Sequence, residues 1–136
     1  MLKKVLLTIT IPALLLGLSS CKKQAKQRVF FVEPASGAEV KSPVKIKMGV
    51  EGIKVKPAGE VVEGTGHHHI IINGDSIAAG TVIPADETHK HFGKGQTETE
   101  LKLDPGENKL TLQFADGAHR SYGEKLSATI TIKVTE

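Results

Sequence analysis

Six histidines carry the chemistry of this chain, and they fall in three places: His67-His68-His69, His89-Lys90-His91 and His119. On extended backbone, residues two apart point to the same face. His67 and His69 therefore share one face of a strand, and His68 takes the other. His89 and His91 repeat that spacing. A His-x-His pair sets two imidazoles on one cation, because Zn–N bonds of roughly 2.0–2.1 Å demand convergence. His67, His69, His89 and His91 are the candidate ligands, with His119 a fifth ligand or a supporting residue and His68 structural. Imidazoles without sulfur suit Zn, Cu(II) or Ni. Ligating histidines usually donate their other ring N–H to a carboxylate or carbonyl. Asp86, Glu87 and Asp116 are near enough in sequence to accept it, and solvent-facing roles for these acids fit equally. The competing reading is a buried histidine cluster that caps loops through backbone carbonyls and holds no ion.

The elements that must position these residues read as short strands. Val29-Phe30-Phe31-Val32 ends at a Pro/Gly turn, and Val44, Ile46, Met48 and Val50 alternate with polar residues or glycine. Ile70-Ile71-Ile72 is a short apolar run, closed by Asn73-Gly74. Leu101 and Leu103 precede the turn Asp104-Pro105-Gly106. Leu110, Leu112 and Phe114 alternate with Lys109, Thr111 and Gln113, which places the latter three outward. Ala128, Ile130, Ile132 and Val134 close the chain in the same rhythm. Half-buried strands at this spacing predict an all-β fold, an immunoglobulin-like β-sandwich of about seven strands. In immunoglobulin order the B–C, D–E and F–G connections meet at one end of the sandwich. His67–His69 would arrive there from B–C, His89 and His91 from D–E, and His119 from F–G. The stretch 74–96 is long and poorly patterned, with Thr81-Val82-Ile83 its only strand candidate. Such a stretch is usually functional or hides an element, and the triple isoleucine predicts that it covers the second face of its strand.

The N-terminus has the plan of a secretory signal. Lys3 and Lys4 are followed by an uncharged, mostly apolar run, Val5–Leu18, too short for a transmembrane helix of roughly 20 residues. Leu18-Ser19-Ser20-Cys21 resembles the lipobox of bacterial lipoproteins, in which the cysteine is acylated. The expected organisation is a signal peptide over 1–20, a lipidated N-terminus and tether over 21–28, and a single domain over 29–136. The lipid bilayer is then a partner, through acyl chains on Cys21, and the address is the bacterial cell envelope, periplasmic or surface-exposed. Without Lys3 and Lys4 the 18 Lys+Arg fall to 16 against 15 Asp+Glu, a net +1. No basic face or basic–aromatic interleaving invites nucleic acid. With its one cysteine acylated, the domain has no thiol for a disulfide, a nucleophile or a metal.

Glu33-Pro34-Ala35-Ser36-Gly37-Ala38, Ser42-Pro43-Val44, Pro57-Ala58-Gly59, Gly66-His67-His68-His69, Ile83-Pro84-Ala85-Asp86-Glu87, His91-Phe92-Gly93-Lys94-Gly95-Gln96-Thr97-Glu98 and Pro105-Gly106-Glu107 together resemble a bacterial secreted domain family of unknown function, number 4399. The resemblance implies a small exported β-domain and brings no activity with it. One departure is the segment Ala118-His119-Arg120-Ser121-Tyr122, which keeps one histidine where the family pattern is richer.

Three functions follow from the residues. The first is a non-catalytic envelope lipoprotein that binds a transition metal or small ligand at its histidine pole. The second is an interaction domain with structural histidines, its protein partner unspecified. The third is a zinc-dependent hydrolase with a metal-bound water and Glu87 as its base. No nucleophile elbow or Ser-His-Asp order supports catalysis, and no catalytic residue is assigned.

Overall fold

Val44, Ile46 and Met48 are buried while Lys45 is exposed, the alternation of a strand with one face on a core. That strand belongs to a computed structural model describing residues 25–136. The signal segment 1–20, Cys21 and the first part of the tether lie outside the described residues. The strands are β1 (Arg28–Glu33), β2 (Glu39–Lys41), β3 (Val44–Glu51), β4 (Lys54–Val55), β5 (Thr65–Ile72), β6 (His89–His91), β7 (Glu98–Leu101), β8 (Gly106–Ala115) and β9 (Ser127–Thr135). A 3-10 turn, Glu124–Leu126, precedes β9. Among the described residues no helix is long and apolar enough to cross a membrane.

Two sheets form the sandwich. One has the order β1-β3-β7, and the other runs β2-β9-β8-β5-β4, with β6 also paired to β5. This is the immunoglobulin-like arrangement, with β2 running parallel to β9 at one edge. Val29, Val44, Ile46, Met48 and Leu101 from the first sheet meet Ile70, Leu110, Leu112, Phe114, Ile132 and Val134 from the second. No cysteine lies among the described residues, and this apolar layer holds the sheets together.

The second face of the larger sheet is also covered. The excursion after β5 folds back over it: Thr111 Oγ1 donates to Gly74 O at 2.8 Å, and Ile77 N donates to Gln113 Oε1 at 3.0 Å. Ser121 Oγ donates to Ile77 O at 2.7 Å, and Ile83 is buried. The covering expected from the triple isoleucine is present. It also corrects the outward placement of Thr111 and Gln113, both fully buried. Alternation assigned them to the far face correctly, but that face is not solvent. Thr81-Val82-Ile83 forms no strand and contributes one bridge, Val82 to Arg120.

The path of the second histidine segment also differs from the expected one. His89 and His91 lie on β6, which adds directly to the edge of β5, with His69 opposite His91 and Ile71 opposite His89. The start of that same edge, at Thr65 and Gly66, is taken by β4.

Candidate metal site

His67 and His69 project from one face of β5, the face turned away from the sandwich core. His68, on the other face, packs edge-on against Phe114 with ring centroids 5.0 Å apart. Parity thus divides the triplet as the sequence requires: two rings to the site and one to the core. Directly across from His69 stands His91 on β6. The fourth ring comes from the turn after β8. His119 N donates to Asp116 O at 2.9 Å, and His119 O accepts from Ile83 N at 2.9 Å. Its backbone is left-handed, φ 63°. The Asp116 carboxylate holds that turn, accepting from Ala118 N at 2.9 Å, Arg120 N at 3.0 Å and Arg120 Nε at 2.8 Å.

These four rings converge. One ligand nitrogen from each of His67, His69, His91 and His119 lies within 4.8 Å of the others. His69 Nε2 is 3.0 Å from His67 Nε2, which is 3.2 Å from His119 Nδ1. Two nitrogens bound tetrahedrally to one zinc ion at 2.0–2.1 Å would sit about 3.3 Å apart. His67 and His69 are buried, His119 is half-buried and His91 is exposed, so the cluster has a closed floor and an open mouth.

The four centroids also report shape. Going round, His67–His69, His69–His91, His91–His119 and His119–His67 are 4.8, 5.0, 4.8 and 5.1 Å apart. The two cross distances are 5.1 Å for His67–His91 and 6.0 Å for His69–His119. A flat square of that edge would have diagonals of about 7 Å, the arrangement of tetragonal Cu(II) or Ni(II). The rings instead form a slightly flattened tetrahedron.

Electrostatics keep the nitrogens available. Burial, then the neighbouring His119 and His91, push the His67 pKa down to about 4, against a small opposing pull from Asp116. Burial and the surrounding rings push His69 to about 3. His91 is lowered by burial and by His119. At neutral pH these three rings are uncharged and offer lone pairs. Nδ1 of His67 and Nδ1 of His69 are buried without a hydrogen-bond partner. Capping of backbone carbonyls therefore does not account for this pair.

His89 stands apart. Its Nδ1 lies 2.8 Å from Asp86 Oδ1, within a turn that Asp86 also caps through Thr88 N and His89 N. Expected among the ligands, it faces the same side as His91 but lies two residues farther along the strand, opposite Ile71. The carboxylates take other places than expected. Asp86 serves His89, Asp116 serves the His119 turn, and Glu87 is exposed. Among the described residues no carboxylate hydrogen-bonds to a ring of the converging four. Gln113, whose amide nitrogen donates to Gly123 O at 3.0 Å, carries no signal in the sequence because it sits in a regular alternation.

No curated protein and no solved structure matches the chain. A family model matches residues 46–135, a span that begins after the Glu33–Ala38 and Ser42–Val44 segments and includes all four converging histidines. That span is well over half of the 136 residues, and the chain belongs to the family described as a domain of unknown function, DUF4399.

Proposed function

We propose that this protein is a cell-envelope lipoprotein that binds zinc reversibly through His67, His69, His91 and His119, without catalysing a reaction. The observation that carries this reading is the convergence of four imidazoles in a near-tetrahedral array. Zinc has no geometric preference of its own and takes tetrahedral nitrogen sets readily. Cu(II) and Ni(II) prefer flatter ones. Four protein ligands fill a tetrahedral shell, whereas catalytic zinc keeps a position for water. That favours holding over hydrolysis. The exposed His91 supports exchange with solvent, and so a buffering or delivering role in place of a permanent structural ion.

The test is titration of the purified full chain, prepared without a polyhistidine tag, with Zn, Cu(II) and Ni at neutral pH. The wild type should bind one zinc ion. Replacing His67 and His69 together with alanine should abolish high-affinity binding, and His89→Ala should leave it in place. Absence of binding in the wild type would return the cluster to a structural role.

A further inference from the structure

Three separate stretches of chain deliver the ligands, and one short segment touches all three. Lys56 N donates to Gly66 O at 2.7 Å, Ala58 N to Gly93 O at 2.8 Å, and Gly59 N to Gly117 O at 2.8 Å. Gly66 immediately precedes His67, Gly93 follows His91 by two residues, and Gly117 precedes His119 by two. We infer that residues 56–60 form a backbone clasp that fixes the relative positions of the ligand-bearing segments, with Gly93 a positioning residue for His91. This rests on the metal-binding reading above.

The acceptor at each joint is a glycine, and none of the three has the left-handed φ that favours glycine. Space is the constraint. A Cβ on Gly66 would overlap Ala115 O and the Phe114 ring, and one on Gly117 would overlap Glu60 O. A Cβ on Gly93 would overlap Cε1 and Nε2 of His91 itself. The first two collisions each involve a backbone carbonyl oxygen. The third is with a movable, exposed ring, so relief comes from swinging His91 away while the fold stays intact.

That difference makes Gly93→Ala the informative variant. It should fold with the wild-type circular dichroism spectrum and bind zinc at least about tenfold more weakly, as expected when one of several ligands is misplaced. Loaded with Cu(II), its electron paramagnetic resonance spectrum should match that of His91→Ala and differ from that of the wild type. Residues acting through one another are non-additive, so Gly93→Ala in a His91→Ala background should weaken zinc binding no further. A wild type that binds zinc beside a Gly93→Ala variant of equal affinity and spectrum would overturn the clasp and leave the site standing. An additive loss in the double variant would show that Gly93 does not act through His91. A wild type that binds no metal would remove the site and the clasp together. Ala58→Pro, which deletes the N–H donor to Gly93 O, should reproduce the Gly93→Ala spectrum. A folded Ala58→Pro variant with wild-type affinity would count against the clasp.

Discussion

His68 is a polar ring in an apolar place. It is fully buried against Phe114, and neither ring nitrogen has a partner. Burial, and secondarily His67, push its pKa from 6.5 down to about 4. The unfolded chain therefore binds a proton at mildly acidic pH that the folded chain refuses. This contribution to stability is complete above pH 6.5 and is lost progressively as pH falls toward 4, on the order of 3 kcal/mol for one such ring. His67 and His69 add to the loss in the same direction. His68→Leu should raise stability at neutral pH by about 1–2 kcal/mol, since it removes unsatisfied buried nitrogens. It should also flatten the decline between pH 7 and pH 5. Urea denaturation of both proteins at the two pH values measures this, and parallel declines would show that His68 contributes none of the acid sensitivity.

At the scale of elements, the excursion over β8 decides what its second face tolerates. Gln113 ties that cover down, accepting from Ile77 N and donating to Gly123 O. Gln113→Leu should destabilise the domain by about 2 kcal/mol or more, because it leaves a buried N–H and a buried carbonyl unpaired. On an outward-facing strand surface the same change would be nearly neutral, and denaturation midpoints separate the two. A period of two assigns each residue its face but neither its cover nor its register. His67, His69 and His68 were legible because parity alone divides them. His119 was legible because β8 ends opposite the start of β5, with Ala115 across from His67, and the turn that follows lies at the same end of the sandwich. His89 was misplaced because a shared face does not mean a shared position. Two residues along a strand is about 6.6 Å, enough to carry the ring past the cluster to Asp86. The segment 56–60 left no chemical trace because it acts through backbone N–H groups, which every residue but proline possesses.

At the scale of the whole molecule, a lipid on Cys21 would set where the site works. The described domain begins its first strand at Arg28, a few residues beyond that cysteine, so the histidine mouth would stay close to a membrane surface. Cys21→Ser should abolish palmitate labelling and release the protein from membranes or leave it with an uncleaved signal. Wild-type labelling and fractionation in that variant would contradict the lipoprotein reading. An ion shared by His67 and His119 would also join chain positions 52 residues apart. A covalent bridge of that span takes about 4 kcal/mol of freedom from an unfolded chain, and this domain has no cysteine pair to make one. Zinc would then serve as its staple, indifferent to reductants and opened by a chelator. The folding stability of the protein would follow the metal supply of its compartment and not the redox state.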